Sequence, residues 1–408
     1  MEEHPQARKI VDTLSKAGFL AYYAGGWVRD YLLQHPSDDI DIATNAPPET
    51  IQALFPKTVP IGIAFGIVLV VIDGHPFEVA TFRQDLDYKD GRRPSRIKFT
   101  TAEEDAKRRD FTINGMFYDP IKQTVLDYVG GREDLDAKII RAIGNPHQRI
   151  KEDRLRMIRA IRLACRFHFH IDPATEKAIR AHAAELFPAV AIERIVQELE
   201  KGRVFGKLRP MLIQLHDFHL LASIFPRLTS VPLAEIEHRL EPTKQFPADA
   251  SLIAFLLELF PHATLSEQLE LAQYLKLPNL DHQFATFLSH AKQLVHHSTE
   301  LATWAHFYAN PFSIPSLQII AAPLSESSRL RFFQEHDERI ALLRSSIERI
   351  QQHDPLVKSS DLAALGIPPS KEMGILLKEA ERIAINEQLH DKASVLAQLR
   401  QHSAWPAK

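Results

Sequence analysis

The stretch Ala21 to Thr44, AYYAGGWVRDYLLQHPSDDIDIAT, decides how the first part of this chain is read. Phe19 to Ala24 is a short apolar and aromatic run with strand character, and Gly25-Gly26 interrupts it. Trp27 to Leu33 then follows helical spacing, and Ile40 to Ala43 is a second short strand candidate. Two glycines between a strand and a helix let the backbone turn sharply and bring free N–H groups close to an anion. The helix N-terminus favours phosphate, and Arg29 on its first turn adds a positive charge. Asp39 and Asp41 stand two apart on the second strand, so both carboxylates project from one face, about 7 Å apart along the chain. Such a pair suits two divalent ions roughly 3.5–4 Å apart, the arrangement used for in-line phosphoryl and nucleotidyl transfer. A lone Asp-x-Asp is ordinarily a pair of solvated loop acids. Following a Gly-Gly turn this closely, it carries more weight.

Outward from this stretch the pattern is mixed α and β. Gln6 to Lys16 reads as a helix that Gly18 ends in a left-handed conformation. Ile67 to Ile72 and Phe77 to Phe82 are β-branched runs joined by Asp73-Gly74-His75-Pro76, a hairpin signal. After Pro146 amphipathic helical patterns dominate, broken at Pro226 to Pro232, Pro242 to Pro247, Pro311 to Pro315 and Pro368-Pro369. The expected fold class is α+β: a small mixed α/β head with an antiparallel-type sheet, then an all-helical remainder. Helical stripes such as Leu252, Phe255, Leu256 and Leu259 read as core, and so do Trp304, Phe307 and Tyr308.

Three further groups carry chemistry. Glu78 lies in the second hairpin strand, with Ala80 and Phe82 on one face and Phe77, Val79 and Thr81 on the other. It is either a carboxylate with a partner or metal, or an edge-strand acid facing water. In Arg108-Arg109-Asp110-Phe111-Thr112-Ile113-Asn114, adjacent Arg and Asp can hold a ribose or phosphate, and Asn114 adds an amide. Glu152-Asp153-Arg154-Leu155-Arg156 opens an amphipathic helix, where Asp153 and Arg156 are spaced to share a face. They form either an intrahelical ion pair or an acceptor and a fork of donors presented to a base edge. Arg159, Arg162 and Arg166 continue as a basic stripe suited to phosphates, while Leu155, Ile158, Ile161 and Cys165 cover the core side.

The 408 residues hold 49 Lys plus Arg against 52 Asp plus Glu, with 45% hydrophobic residues and one cysteine. This is ordinary globular composition, without an intrachain disulfide, a signal-peptide core or an apolar run long enough for a membrane helix. A soluble, cytoplasmic protein is expected. The near-neutral total argues superficially against a nucleic-acid partner. Positive charge is instead local: five basic residues and one acidic from Lys89 to Lys98, six and two from Lys151 to Arg166.

Taken in order, Gly25-Gly26-x-Val28-Arg29-Asp30 with Asp39-x-Asp41, Arg109-Asp110-Phe111-Thr112-x-Asn114 and Glu152-Asp153-x-x-Arg156 resemble successive motifs of one family. It is the class II, bacterial-type family of CCA-adding tRNA nucleotidyltransferases and poly(A) polymerases, within the polymerase-β superfamily. Asp127 to Gly131 with Ile140 to Gly144 is similar to the intervening motif, and Glu193-Arg194-Ile195 with Glu198-Leu199 to the last. The resemblance implies a nucleotidyltransferase head over 1–142, a nucleotide-selecting neck over 143–205, a body over 206–330 and a tRNA-binding tail over 331–408. It implies two Mg²⁺ on Asp39 and Asp41, with Glu78 as a third active-site carboxylate. Gly25, Gly26, Arg29, Arg109, Asp110 and Asn114 would address ribose and triphosphate, with Arg159 and Arg162 beside them. Asp153 and Arg156 would read the Watson–Crick edges of CTP and ATP, and the acceptor would be the 3′ end of tRNA or another RNA.

Arg83 to Pro94, RQDLDYKDGRRP, is similar to the family's flexible loop in Tyr88, Asp90, Arg92, Arg93 and Pro94. Enzymes adding only CC typically lack that loop, which argues against a CC-only enzyme; CCA addition is expected, with A-only or poly(A) addition as the alternative. Two other classes remain. His216-Asp217, His336-Asp337, His353-Asp354 and His390-Asp391 are dipeptides of the kind a metal-dependent phosphohydrolase uses, without an accompanying ligand set. A non-catalytic RNA-binding adaptor would not need the intact acidic and basic motifs.

Overall fold

A seven-stranded sheet forms around the Gly-Gly turn in the computed structural model, which describes residues 4–35, 37, 39–88, 94–297, 300–403 and 405. The strands are β1 (Ala21–Ala24), β2 (Asp41–Thr44), β3 (Thr58–Gly62), β4 (Ile67–Ile72) and β5 (His75–Thr81). The hairpin of β6 (Arg83–Tyr88) and β7 (Pro94–Phe99) stands apart, and β8 (Phe117–Asp119) and β9 (Thr124–Leu126) complete the sheet. The order is β3-β4-β5-β2-β1-β8-β9; β2 and β5 run parallel and the other neighbours antiparallel.

The β4–β5 turn is shorter than the sequence suggested. Ile72 faces His75, leaving Asp73 and Gly74 at φ 51° and 85°, the paired positive angles of a two-residue hairpin. His75 and Pro76 open β5, a strand position where proline is tolerated. Arg83 to Pro94, read as a polar loop, is largely paired strand at its ends; Asp90, Arg92 and Arg93 lie outside the described residues.

One sheet face buries Ile42, Val68, Val70 and Val79 beneath helix α1 (Pro5–Lys16) and the helix Pro48–Leu54. The opposite face carries Tyr22, Ala43, Phe82 and Phe117, packed with Ala102 and Ala106 from helix Ala102–Lys107. Full burial of such side chains contributes about 1.5–3 kcal/mol each. Alternation along β2 puts Asp41 on the Ala43 face. The short helix α2 (Gly26–Leu32) starts directly after β1.

The helical segment after Pro146 does not run straight through the Asp153 region. Helix α3 (Pro146–Glu152) ends at Asp153, whose backbone is extended at φ −147°, and α4 (Leu155–Phe167) begins anew. The Asp153 carboxylate accepts from the Leu155 N–H at 3.1 Å, a local bond that competes with helix continuation. Leu155, Ile158, Ile161 and Cys165 are buried as expected, and burial pushes the Cys165 thiol up to about 12. Helices α5 (Pro173–His182) and α6 (Ile192–Val204) follow, within a compact unit Met1–Ile236.

The second unit, Glu237–Lys408, is built of helices joined by short turns, with no strand among its described residues. Trp304, Phe307, Tyr308, Leu343 and Ile347 form one core, and Leu362, Leu376, Val395 and Leu399 another. Leu252, Leu256 and Leu259 are buried and Phe255 half-buried. No helix among the described residues is long and apolar enough to cross a membrane. His336 is buried, with its Nδ1 2.7 Å from the Tyr308 hydroxyl; burial, aided by Arg339, pulls its pKa down to about 4. Because the folded value lies below the unfolded value of about 6.5, His336 favours folding above that pH and ceases to as pH falls towards 4. Thermal unfolding should therefore show a stability loss of about 3 kcal/mol across this window, absent in His336→Phe. An unchanged pH profile in that variant would refute the assignment.

Candidate active site

Gly25 brings the sheet and the polar clusters together. Its φ is 71°, and a Cβ there would meet Arg109 Nη1 at 3.3 Å and Asp41 Oδ2 at 3.4 Å. Glycine thus permits both the turn and the approach of a cation and a carboxylate. Around it opens a cleft of about 610 Å³, lined by Gly25, Gly26, Arg29, Asp39, Asp41, Arg109, Asp110, Asn114, Asp153, Arg156, Arg159 and Arg162. Every site residue expected from the sequence lines it except Glu78.

Asp39 precedes β2 rather than standing on it, so the strand-alternation argument holds for Asp41 alone; both carboxylates nevertheless line the cleft. Asp41 pairs with Ala24 of β1. One step back along the β2–β5 register of Ile42 with Val79 lies Glu78, exposed. The Asp41 carboxyl is pushed up to about 6, first by desolvation, then by the charges of Asp39 and Glu78, against the pull of Arg109. Three acids here thus crowd negative charge that one arginine does not neutralise. A hard divalent cation fits this electrostatic demand. No group of three or more His, Cys, Asp or Glu converges as a metal site among the described residues. Two carboxylates suffice for Mg²⁺, which keeps waters and shares substrate phosphates.

The arginines are fixed by acids to which the sequence assigned no partner: Asp105, and the motif residues Asp30 and Glu198. Asp105, buried on helix Ala102–Lys107, receives Arg108 at 2.8 Å, Arg109 at 3.2 Å and the Arg83 N–H at 3.0 Å. Its offsets of three and four from the two arginines were a helical signal visible in the sequence. Asp30, buried, holds Arg29 at 2.8 Å and Arg166 at 3.2 Å, while Arg29 also donates to Asn114 at 2.6 Å. Burial lowers Arg29 to about 10, opposed by Asp30. Arg162 pairs with buried Glu198 at 2.5 Å. These long-range pairs had no signal in sequence spacing.

Asp110 pairs with Arg159 at 2.7 Å and accepts from Asn114 at 3.1 Å. Burial pushes its carboxyl up, but Arg159, the Asn114 bond and Arg156 outweigh this and hold it below the usual carboxylate range. Asp153 and Arg156 are not paired with each other. The Asp153 carboxylate is gripped by Arg194 of α6 at 2.9 and 3.3 Å. Arg156 Nη1 donates to the Arg149 carbonyl at 2.6 Å and Glu152 at 3.0 Å. The intrahelical ion pair is therefore excluded, and an acid and a guanidinium face one cleft. Arg83, Asp85, Arg108, Leu163, Arg166, Lys201 and Phe205 complete the lining. Of these, Lys201 and Phe205 lie beyond the cleft's sequence clusters, and only packing of α6 brings them in.

In the His-Asp dipeptides, His216 bonds the Val231 carbonyl and His336 the Tyr308 hydroxyl. Among the described residues no group of three or more His, Cys, Asp or Glu that could hold a metal gathers around these dipeptides.

A family model for the poly A polymerase head domain matches residues 21–141, and one for a probable RNA and SrmB-binding site of polymerase A matches residues 168–231. The CCA-adding enzyme of Enterococcus faecalis is 33% identical over 408 residues, spanning 97% of this chain and 95% of the relative. That of Geobacillus stearothermophilus is 45% identical over 213 residues, about half of each chain (51% and 52%). Among solved structures, the Bacillus stearothermophilus CCA-adding enzyme in complex with CTP is similar with a TM-score of 0.77 at 28% identity, covering 98% of this chain and 99% of that one.

Proposed function

The chain belongs to the family of CCA-adding enzymes, and from that premise we propose how its cleft adds CCA to the 3′ end of tRNA from CTP and ATP. The observation that carries the reading is one cleft shared by Asp39, Asp41, the Gly25-Gly26 turn and the Asp153–Arg156 pair. The reaction is nucleotidyl transfer: the RNA 3′-hydroxyl attacks the α-phosphorus in line, an O–P bond forms, and pyrophosphate leaves. Enzymes of this family are metal-dependent in general. Asp39 and Asp41 would hold two Mg²⁺, which when bound activate the hydroxyl and neutralise charge on the phosphates. Glu78 adds negative charge beside Asp41.

The chain's own groups do the rest. The N–H groups after Gly25 receive the triphosphate at the start of α2, and Arg29 supports it from the first turn. Arg109, tied to Asp105, sits against Gly25 and counters the acids; Arg159 and Arg162, held by Asp110 and Glu198, line the same cleft beside the nucleotide. Asp110, locked by Asn114 and Arg159, orients the ribose. Asp153 accepts from the exocyclic amino group that cytosine and adenine share, and Arg156 donates to the neighbouring ring acceptor. Arrangement into a head over 1–142, a neck over 143–205, a body over 206–330 and a tRNA-binding tail over 331–408 accompanies this reading, as does a cytoplasmic location, where tRNA and nucleotides meet.

The test offers the purified protein tRNAs lacking CCA, CA or A, with CTP and ATP separately and together, and sizes the products. Three nucleotides followed by a stop are expected. Long A tails on unrelated RNAs would overturn the reading in favour of poly(A) synthesis, and growth only on tRNA ending in CC would favour A-only addition.

A further inference from the structure

The break between α3 and α4 is held by ion pairs from two successive residues to two different partners. Asp153 turns toward α6 and is gripped by Arg194. The next residue, Arg154, turns away and donates to Glu185 through Nε at 3.2 Å and Nη2 at 2.9 Å. The other Glu185 oxygen lies 2.8 Å from His182 Nδ1, and His182 Nε2 lies 3.2 Å from His147 Nδ1. His147 belongs to the first turn of α3 and His182 to the last residue of α5, so the bonds run from α3 through α5 back to the break.

We propose that His147, His182, Glu185 and Arg154 form a hydrogen-bonded brace that fixes the angle between α3 and α4, and so holds Asp153 and Arg156 where they discriminate nucleobases. The proposal rests on the assignment of nucleobase selection to those two residues. The brace is directional. Ionised Glu185 accepts from His182 Nδ1–H, which leaves neutral His182 Nε2 as an acceptor for the Nδ1–H of His147. A charged His182 instead donates at both nitrogens, and His147 Nδ1 accepts, so the chain stays closed in either state. The rings meet edge to face at 5.3 Å and 74°, with His182 buried and His147 at the exposed end of the chain of bonds. The His182 bond, with Arg154 behind it and against burial, holds the Glu185 carboxyl below its usual range.

A surface ion pair alone contributes little to stability. The consequence of this one is geometric, because Arg154 is covalently next to Asp153. If Arg154 swings free, the Asp153 segment keeps Arg194 and its local bond to the Leu155 N–H but loses its tie to α5, and the acid shifts relative to Arg156. Discrimination falls before folding does.

The test measures kcat/KM for CTP against UTP on tRNA lacking CCA, together with melting temperature. Uracil offers a carbonyl where cytosine offers an amino group, so the ratio reports Asp153 directly. Glu185→Ala, at an exposed position, and His182→Ala should each lower the CTP:UTP ratio about tenfold with KM for tRNA unchanged. His182→Asn, whose amide can still donate to Glu185, should restore most of it. An unchanged ratio in Glu185→Ala, or a His182→Ala loss that Asn does not rescue, overturns the brace. Asp153→Ala separates the two readings: if that variant also leaves the ratio unchanged, the nucleobase assignment itself has failed.

Discussion

Asp41→Asn should reduce nucleotide incorporation by at least about 10³-fold, a loss of roughly 4 kcal/mol in transition-state stabilisation, without unfolding the protein. The size follows from position: Asp41 lines the cleft against Gly25, where the proposed reaction needs both the attacking and the leaving oxygen served. The stability half of the prediction follows from charge. The Asp41 carboxyl is pushed up to about 6 in the folded metal-free protein, above its unfolded value, because desolvation and then the charges of Asp39 and Glu78 resist its ionisation. Its contribution to folding is therefore complete below the unfolded value and is lost as pH rises through about 6. At pH 7 the neutral amide relieves that cost, so the melting temperature of the metal-free variant should equal or exceed that of the parent. Asp39→Asn is the companion, at an exposed position, and should lose activity likewise. Retained incorporation in both variants would remove the carboxylates from the reaction.

Asp153→Ala should lower the CTP:UTP ratio by about 10- to 100-fold, the discrimination of about 1–3 kcal/mol that a well-placed pair of base contacts provides. Cytosine and adenine each present an amino donor to an acceptor and a ring nitrogen to a donor, and one acid–guanidinium pair serves both. Alanine removes the acceptor, leaves Arg194 without its carboxylate and uncaps the Leu155 N–H. Asp153→Asn separates these effects: it keeps an acceptor for the cap but places a donor amide beside it, so selection should relax with less cost to the break. Arg156→Ala should instead weaken CTP and ATP together. Single-turnover incorporation with each nucleotide distinguishes the cases, and a flat ratio across Asp153→Ala and Asp153→Asn would exclude Asp153 from base selection.

The motif residues were legible because their chemistry is local. A strand, two glycines and a helix place N–H groups and Arg29 within a few residues of one another, and helical spacing put Leu155, Ile158, Ile161 and Cys165 inside. Local rules also misplaced details. Asp39 was read onto the strand, yet the strand starts at Asp41. Asp153 and Arg156 were read on one continuous helix, yet the Asp153 side chain bonds the Leu155 N–H and breaks it. The near-neutral total charge hid rather than excluded an RNA enzyme, because acids such as Asp30, Asp105, Asp110 and Glu198 are spent holding the cleft's arginines.

By itself the sequence determined the chemistry: paired carboxylates, a glycine turn for phosphate, an arginine stripe and an acid–guanidinium pair, together with the α/β-then-helical order of the chain. Only the tertiary structure decided which charges meet. Arg166 finds Asp30 across 136 residues, Arg162 finds Glu198 across 36, and Arg194 finds Asp153 across 41. Such pairings leave no periodicity, since a buried charge needs only some partner of opposite sign within reach, and the packing of helices, not their spacing along the chain, supplies it.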